Sequence, residues 1–331
     1  MKKIGIIGSG SWATAIIKIL AEQQVELHWF IRRQEVINHI QQFHHNPDYI
    51  SSALLPVSKI QFHTTAASCI AAADWIIAAT PSAFLRNSLA GVTPDAFENK
   101  TVISAIKGMI PDPDENLIIA EYFKKYFAVP FEKFVVISGP CHAEEVALEK
   151  LSYLTFSCPD TAQAAAVAEL FTCRFIHTHV TEDIFGTELS AVMKNIIAVA
   201  SGICHGLGYG DNFQAVLVAN AIQEIKRFVD AVHPITRDIN GSAYLGDLLV
   251  TAYSQFSRNR AFGLMIGKGY SVKAAQLEMN MIAEGYYSVK CIYEANLKYK
   301  VELPITEAVY RILYEQAQPA KLIASMTKQL R

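Results

Sequence analysis

The sequence lacks a strong excess of either charge. It carries 29 lysine and arginine residues against 31 aspartate and glutamate residues in 331, a formal net charge of −2. A protein that binds along the phosphate backbone of a nucleic acid needs a basic face, so we expect no nucleic-acid partner. Any site for an anion must instead be built locally from a few residues.

Cysteine is scarce and irregularly spaced. None of the six cysteines belongs to a CxxC pair, and none stands near histidine at the spacing of a zinc site. A chain of this length buries enough surface to fold without disulfides or a structural metal. We therefore expect reduced thiols, a cytoplasmic location and no metal ion.

Long hydrophobic runs are also missing. The apolar segment at the N-terminus ends at Gly8, too early for a secretory signal. The apolar stretch near residues 191–203 contains Lys194 and falls short of the roughly 20 residues of a membrane-spanning helix. We therefore expect no insertion into a membrane.

The sequence pattern changes near residue 185. Before it, short runs that are apolar throughout alternate with helical stretches, which is typical of a parallel sheet covered on both faces. These runs cover residues 3–7, 26–31, 74–80, 101–106, 133–138, 151–157 and 174–180. After Thr181 only helical spacing remains, over residues 185–206, 212–232, 246–256, 271–278, 286–299 and 304–314.

The predicted fold class is therefore α/β, with an N-terminal doubly wound, mostly parallel sheet of Rossmann type and an all-helical C-terminal domain. We place the boundary between residues 184 and 185. The first domain then covers residues 1–184 and the second covers residues 185–331.

A glycine-rich turn is the first chemical feature of residues 1–184. The segment Gly8-Ser9-Gly10-Ser11-Trp12-Ala13 fits the pattern G-x-G-x-x-G/A, directly after a predicted strand and at the start of a predicted helix. Gly8 allows a tight turn, Gly10 lets the backbone approach a pyrophosphate, and Ala13 lets the helix pack closely. A βα turn without a ligand is the alternative. We predict a dinucleotide-binding domain, because the strand–turn–helix context is the one that this motif requires.

The end of the second strand bears on the choice of cofactor. The segment Trp29-Phe30-Ile31-Arg32-Arg33 has no carboxylate before Glu35 that would hold the ribose 2′-hydroxyl of NAD. Two guanidinium groups suit a 2′-phosphate. The alternative is a solvated pair of charges at the start of a helix. The sequence favours NADP over NAD.

Lys107 directly follows the predicted strand 101–106. Ligands of open α/β sheets bind outside the carboxyl ends of the strands. The ammonium group of Lys107 could therefore meet a substrate phosphate or a carbonyl oxygen. The position alone fits a surface lysine in a turn, without a ligand, equally well.

The helical half contains a lysine on an apolar face. Lys194 has Ala191, Ile197 and Ala198 as its helical neighbours, and Asn195 follows it. Desolvation lowers the pKa of a lysine, which would make Lys194 a usable proton donor or acceptor near neutral pH. The alternative is a snorkelling side chain with a buried stem and a hydrated amine.

Two further polar segments accompany Lys194. Asp247 is either the N-cap of the helix that follows it or a carboxylate that orients a nearby amine. The segment Ser257-Arg258-Asn259-Arg260 closes that same predicted helix. There its cations either interact with the helix dipole, or Arg258 and Asn259 form a phosphate clamp.

Taken together, these segments resemble the bacterial NAD(P)-dependent glycerol-3-phosphate dehydrogenase family. The resemblance runs in order from residue 4 to about residue 315. It rests on the segments 8–15, 107–108, 137–140, 192–198, 245–248, 257–263, 283–286 and 303–306. Eight segments in register are more specific than any single motif.

The resemblance implies reduction of dihydroxyacetone phosphate to sn-glycerol 3-phosphate, the head-group precursor of phospholipids, with NADP or NAD as cofactor and a homodimer as assembly. It makes Lys194 the proton donor or acceptor at the C2 oxygen of the substrate. The polar site would include Lys107, Asn195, Asp247 and Thr251. The substrate-binding residues would be Lys107, Gly139, Cys141, Lys194, Asp247, Ser257, Arg258 and Asn259. The cofactor-binding residues would be Gly8, Gly10, Ser11, Trp12, Arg32, Arg33, Tyr49, Lys107, Ala143, Arg258, Ile282 and Glu284.

Three positions depart from the family pattern. Cys141 stands where the family usually has serine or threonine, and a thiol is a weak hydrogen-bond donor. Tyr244 replaces a glycine before Leu245, and Gln214 replaces an arginine. Because Lys194, Asp247 and Arg258 are all present, we still expect activity.

Two other functions are alternatives to this one. An enzyme of the β-hydroxyacid or 6-phosphogluconate dehydrogenase type would share the glycine turn and the Lys-Asn pair, but it would lack the Ser-Arg-Asn-Arg and Leu-Gly-Asp segments. A non-catalytic NADP-binding sensor would bind cofactor without reducing any ketone.

Overall fold

The computed structural model describes residues 1–279 and 281–331. They form two compact units, one of residues 1–106 and 119–184, the other of residues 107–118 and 185–331. The segment 107–118 is grouped with the second unit, which the sequence did not indicate. The division into functional domains at residue 184 stays a prediction.

The first unit is built on a single sheet. Within the described chain it has eight strands in the order β3-β2-β1-β4-β5-β6-β7-β8, and every neighbouring pair is parallel except β6 and β7. The predicted doubly wound, mostly parallel sheet is confirmed. The strands are β1 (Lys2–Ile7), β2 (Val25–Phe30), β3 (Ile60–His63), β4 (Trp75–Ala78), β5 (Thr101–Ser104), β6 (Phe134–Ser138), β7 (Ser152–Ser157) and β8 (Ile176–Thr181).

The strand sequences explain this arrangement. All residues of β4, β5 and β6 are buried, as strands must be when helices cover both faces of a parallel sheet. The edge strand β3 was not predicted, because its short segment has only one fully buried residue, Ile60. The helices of this unit are α1 (Ser11–Leu20), α2 (Gln34–Phe43), α3 (Ala66–Ala71), α4 (Leu85–Ser88), α5 (Ile119–Phe127), α6 (Ala143–Ala147) and α7 (Thr161–Phe171).

In the described part of residues 185–331 the regular secondary structure is helical, as predicted. Two of the helices, α11 and α15, were absent from the predicted set. The helices are α8 (Ile184–Gly206), α9 (Asp211–Val232), α10 (Asp247–Tyr253), α11 (Arg258–Gly267), α12 (Val272–Glu278), α13 (Glu284–Tyr299), α14 (Pro304–Tyr314) and α15 (Pro319–Met326).

The apolar stretch 191–203 lies within the longer helix α8, so its length does not exclude a membrane-spanning helix. This helix has 23 residues, and its most apolar 18-residue window has a mean hydropathy of 1.2, so by length and composition it could cross a membrane. However, 89% of its most apolar window is buried inside the protein. Burial against neighbouring helices, and not shortness, explains why this segment is so apolar.

Glycine residues allow α8 and α11 to pack backbone against backbone. A Cβ atom on Gly202 would lie 2.1 Å from the carbonyl oxygen of Arg260, and one on Gly263 would lie 2.1 Å from that of Val199. Any larger residue would push the two helices apart. This close packing places the first turn of α11 against the middle of α8, where Asn195 lies.

Candidate active site

The glycine-rich turn joins β1 to α1 in the first unit. Gly8 has φ +131°, and a Cβ atom there would lie 2.5 Å from the carbonyl oxygen of Ala79, so only glycine fits. The indole N–H of Trp29, a buried residue of β2, donates to the carbonyl oxygen of Gly8 at 2.6 Å. The turn is therefore held rigidly by the two strands on either side of β1.

The polar groups of this turn fit an anionic dinucleotide. Gly10 is the N-cap of α1 without a side-chain cap, and no atom lies within 4 Å of the position of a Cβ there. Among residues 1–279 and 281–331, the buried Nε1 of Trp12 and Oγ1 of Thr80 have no hydrogen-bond partner. A pyrophosphate site is expected to have open space beside an uncapped helix N-terminus and polar groups without a protein partner. This turn has both. Ser11 is buried in the first turn of the same helix.

A buried asparagine ties a second loop to this turn. Asn46 is 0% exposed, and its Nδ2 donates to the carbonyl oxygen of Ser9 at 3.0 Å and to Oγ1 of Thr14 at 2.9 Å. Its Oδ1 accepts from the backbone N–H groups of Asp48 at 3.1 Å and Tyr49 at 3.3 Å. Sequence reasoning missed Asn46, although the Asn-Pro pair at 46–47 marks a turn.

The two arginines after β2 have different surroundings. Both are exposed, but Arg33 forms an ion pair with Asp48, and its Nε lies 3.7 Å from Oε1 of Glu35. Arg32 forms no such pair with any residue that the structure describes. The sequence predicted two equivalent phosphate ligands. In the structure Arg32 is available for a ligand, whereas Arg33 is already held by carboxylates.

The remaining predicted residues of the first unit lie after β6 or in the loop after α2. Gly139 has φ +112°, and a Cβ atom there would lie 2.6 Å from the carbonyl oxygen of Tyr153. The Cys141 thiol donates to that same oxygen at 3.2 Å. Ala143 begins α6, and Tyr49 is half-buried beside Asp48. Contacts of these residues with substrate or cofactor stay predictions.

The second unit contains a buried cluster of charges. The amine of Lys194, on α8, donates to Oδ1 of Asp247 and, at 2.9 Å, to Oγ1 of Thr251, both on α10. The amine of Lys107 lies 3.1 Å from Oδ2 of the same carboxylate. Lys194 is 5% exposed and Asp247 is 1% exposed. Two lysines thus share one carboxylate in the interior of this unit.

Burial and mutual charge shift the pKa of both partners. Burial lowers the pKa of Lys194, the charge of Asp247 opposes that shift, and the positive charge of Lys107 adds to it. Burial alone would raise the pKa of Asp247, but the two lysines outweigh it and hold that pKa below its usual range. The carboxylate therefore stays ionised, and Lys194 loses its proton more easily than an exposed lysine.

These positions decide between the alternatives left open for three residues. Lys194 does not snorkel, because its amine is buried against Asp247. Asp247 is not an N-cap, because α10 begins at Asp247 itself after a π-helical turn over residues 242–246. Lys107 is not a free surface lysine, because it is ion-paired.

A chain of amide hydrogen bonds fixes the backbone beside the charges. Asn195 Nδ2 donates to the carbonyl oxygen of Lys107, and Asn195 Oδ1 accepts from Asn259 Nδ2, both at 2.9 Å. Asn259 Oδ1 accepts from the backbone N–H of Gly285 at 2.9 Å. A Cβ atom on Gly285 would lie 2.5 Å from the carbonyl oxygen of Asn195, so this close contact needs glycine. One amide hydrogen of Asn259 remains for a ligand.

The segment around Arg258 differs from its prediction. It does not close a helix but begins α11, for which Ser257 is the N-cap and accepts from the backbone N–H of Arg260 at 3.3 Å. The interpretation as cations at a helix C-terminus is therefore wrong. Arg258 is exposed, with Nη1 3.8 Å from Sδ of Met281. The half-buried Ile282 precedes α13, and the half-buried Glu284 is its first residue.

Two of the departures from the family pattern are accommodated within the helical core. Gln214 Nε2 donates to the carbonyl oxygen of Ser201 at 3.0 Å, and Gln214 Oε1 accepts from Ser201 Oγ at 2.9 Å. Tyr244 is buried in the π-helical turn before Asp247. Neither residue displaces a member of the charged cluster.

Each predicted site residue thus lies in one of two groups. The first unit holds Gly8, Gly10, Ser11, Trp12, Arg32, Arg33, Tyr49, Gly139, Cys141 and Ala143. The second holds Lys107, Lys194, Asn195, Asp247, Thr251, Ser257, Arg258, Asn259, Ile282 and Glu284. In the part of the chain that the structure describes, no three His, Cys, Asp or Glu side chains are grouped to hold a metal ion.

Family models match both units. The model described as the N-terminus of NAD-dependent glycerol-3-phosphate dehydrogenase matches residues 3–164, and the model described as its C-terminus matches residues 183–324. The resemblance drawn from the sequence is confirmed.

Individual proteins give the same result. The chain is 37% identical over 320 residues to a glycerol-3-phosphate dehydrogenase (NAD(P)+) of Bacillus pumilus, covering 95% of this chain and 91% of that one. It is 35% identical to the corresponding protein of Bacillus subtilis, covering 98% and 94%. A crystal structure of glycerol-3-phosphate dehydrogenase from Coxiella burnetii has a TM-score of 0.90 at 26% identity and covers 98% of each chain. A D-mandelate dehydrogenase with NADH, at 16% identity, has a TM-score of 0.60 over 97% of this chain and 100% of that one and shares the fold alone.

Proposed function

Because the chain belongs to the NAD-dependent glycerol-3-phosphate dehydrogenase family, we propose that it reduces dihydroxyacetone phosphate to sn-glycerol 3-phosphate. It is an oxidoreductase that uses NAD or NADP. One observation carries the proposed chemistry, namely the buried amine of Lys194 between the Asp247 carboxylate and the Thr251 hydroxyl. A ketone that accepts a hydride also needs an acid at its oxygen, and Lys194 supplies one.

The glycine-rich turn would hold the dinucleotide. The N–H groups at the start of α1 and the unused Nε1 of Trp12 would donate to its pyrophosphate. Arg32 would approach the adenine ribose and favour NADP, as the sequence indicates. When bound, the reduced nicotinamide supplies the hydride.

Lys194 would give its proton to the C2 oxygen of the substrate and take it back in the reverse direction. Burial lowers the pKa of Lys194, which brings its proton transfer closer to neutral pH. Asp247 fixes the position of the amine, and Thr251 limits its rotation. Lys107 would add a second positive charge where negative charge develops on the substrate oxygen.

The substrate phosphate would bind at the start of α11. Arg258 is exposed there and is free to form a bidentate contact with phosphate oxygens. Asn259 has one amide hydrogen left for a substrate oxygen, while its other polar groups hold Asn195 and Gly285. Gly139, Cys141 and Ser257 complete the proposed substrate-binding set by their match to the family.

The cellular role follows from the proposed product. We propose a cytoplasmic enzyme that supplies sn-glycerol 3-phosphate for glycerophospholipid synthesis and acts as a homodimer. Light scattering on the purified protein tests the dimer: twice the 36.6 kDa chain mass is expected.

Loss of NADPH absorbance with dihydroxyacetone phosphate tests the proposed reaction. 6-Phosphogluconate with NADP+ and a buffer blank are the controls. Turnover of the triose phosphate alone supports the proposal. Turnover of 6-phosphogluconate would favour the related dehydrogenase type. Folded protein that binds NADPH but turns over neither compound would be a cofactor sensor.

A further inference from the structure

Asp48 places a negative charge beside one of the two arginines that follow β2. Its carboxylate forms an ion pair with Arg33, one of the two guanidinium groups that suit a 2′-phosphate. A phosphate that binds Arg33 must displace this carboxylate or bind beside its negative charge. Either way, Asp48 opposes a phosphorylated ribose and has no comparable effect on an unphosphorylated one.

The position of Asp48 is fixed by its backbone. The N–H of Asp48 donates to Oδ1 of Asn46, which is fully buried and bonded to the glycine-rich turn through Ser9. A carboxylate on a mobile loop could move away from an incoming phosphate at little cost. Here the hydrogen bond that the backbone N–H of residue 48 donates to Asn46 holds this backbone in place, so the competition with phosphate persists.

The other carboxylate near Arg33 is less well placed. Glu35 lies 3.7 Å from Nε of Arg33, and its side chain is 70% exposed against 38% for Asp48. Exposed ion pairs at such distances contribute little because solvent and salt screen them. Asp48 is therefore the residue of this cluster with the larger influence on Arg33.

We propose that Asp48 is a specificity-determining residue for the coenzyme, because it holds Arg33 and so weakens binding of NADPH relative to NADH. This inference rests on the proposed function, since it requires a nicotinamide dinucleotide at the glycine-rich turn. It concerns the balance between the two coenzymes and requires no turnover.

Dissociation constants for NADPH and NADH, measured by calorimetry, test the role of Asp48. Asp48→Asn keeps the size of the side chain and removes its charge. We expect NADPH to bind about threefold to tenfold more tightly to this variant, from the Coulomb energy of one charge near a phosphate in water, and NADH to bind unchanged. The gain in affinity for NADPH should shrink at an ionic strength of about 0.5 M, because salt at that concentration screens such charges.

Two further variants separate this mechanism from a general effect of charge. Asp95→Asn removes an exposed carboxylate outside the cluster and should change neither affinity. In an Arg33→Ala background, Asp48→Asn should give a smaller gain for NADPH, because only the repulsion between carboxylate and phosphate is then relieved and no guanidinium is released.

The proposal would be overturned by an unchanged affinity for NADPH, by equal tightening of both coenzymes, or by the same gain without Arg33. Weaker NADPH binding by Asp48→Asn would also overturn it and would make Asp48 a support for Arg33. A wild-type chain that binds neither coenzyme would instead refute the proposed function, and this inference with it.

Discussion

Lys194 and Asp247 lie 53 positions apart in the chain and form an ion pair inside the helical unit, with Lys107 on the other oxygen of the carboxylate. The pair joins α8 to α10, so the amine has a fixed position. A fixed, desolvated amine with an ionised partner is suited to repeated proton transfer.

Replacement of Lys194 tests the proposed acid. Lys194→Ala should lower kcat for dihydroxyacetone phosphate by about 10²–10⁴-fold, which is the usual contribution of general acid–base catalysis. The affinity for NADPH should stay nearly unchanged, because the proposed pyrophosphate ligands belong to the other unit. Steady-state kinetics and calorimetry measure the two effects. Lys273→Ala, at an exposed position on α12, is the control. A kcat within a few-fold of wild type would mean that Lys194 is only structural.

Replacement of Gly10 tests the dinucleotide site. Gly10→Ala places a methyl group in open space, at a residue with φ −79°, so the fold should be unaffected. The same methyl group should obstruct the close approach of a pyrophosphate and weaken NADPH binding by about tenfold or more, equivalent to ~1.4 kcal/mol or more.

Gly210→Ala is the matched control for Gly10. Gly210 is also a helix N-cap with an extended backbone and no atom within 4 Å of a Cβ position, but it begins α9. It should change neither the thermal midpoint nor the dissociation constant for NADPH. If Gly10→Ala binds NADPH as tightly as Gly210→Ala, the turn does not contact the cofactor as proposed.

The two arginines after β2 should contribute unequally. Arg32→Ala should weaken NADPH more than Arg33→Ala does, because Arg33 is held by Asp48. Neither substitution should weaken NADH to the same extent, because NADH lacks the 2′-phosphate. Dissociation constants for both coenzymes measure the difference. Equal losses of NADPH and NADH affinity would show that the arginines do not contact the 2′-phosphate.

The sequence predicted the fold where its pattern was unambiguous. Strands such as β4 and β6, buried on both faces, are continuous apolar runs, which is typical of a covered parallel sheet. The edge strand β3 is short and half exposed, so it has no comparable pattern. The helix α11 was missed because Gly263 suggests a break in the helical pattern. Gly263 and Gly267 instead allow α11 to pack on α8, because they have no side chains.

The candidate site could be predicted only as separate residues. Lys194 and Asp247 were both conspicuous, as charges within apolar segments. Their pairing depends on how α8 and α10 pack, which no local pattern encodes. Asn46 gave no comparable signal, because its role comes from total burial against the glycine-rich turn. The pairing of Arg33 with Asp48 likewise depends on the path of the loop after α2.

The contact between α8 and α11 should be sensitive to a single methyl group. Gly263→Ala would place Cβ 2.1 Å from the carbonyl oxygen of Val199, a backbone atom that cannot move aside alone. We expect a loss of about 1–3 kcal/mol in the free energy of unfolding, as for other overpacked cores. Chemical denaturation measures this free energy. Gly210→Ala is the control, because it makes the same substitution where a Cβ atom meets open space. A stability equal to that of the control would show that the helices separate at no cost.

The shared carboxylate predicts how the activity responds to pH. Reduction needs a protonated Lys194, so kcat/KM for dihydroxyacetone phosphate should fall as the pH rises through the pKa of this lysine. The charge of Lys107 lowers that pKa. Lys107→Gln should therefore raise it, and the decline of kcat/KM should begin at a higher pH than in wild type.

The midpoint of this decline separates an electrostatic role of Lys107 from substrate binding. Loss of a substrate contact alone would lower kcat/KM equally at every pH and leave the midpoint in place. A shift to higher pH requires that Lys107 acts on the proton of Lys194. Asp247→Asn should shift the midpoint the opposite way, because the carboxylate raises the pKa of Lys194. Lys273→Gln removes an exposed positive charge outside the cluster and should leave the midpoint unchanged. Equal midpoints in all four proteins would mean that the observed decline belongs to a group other than Lys194.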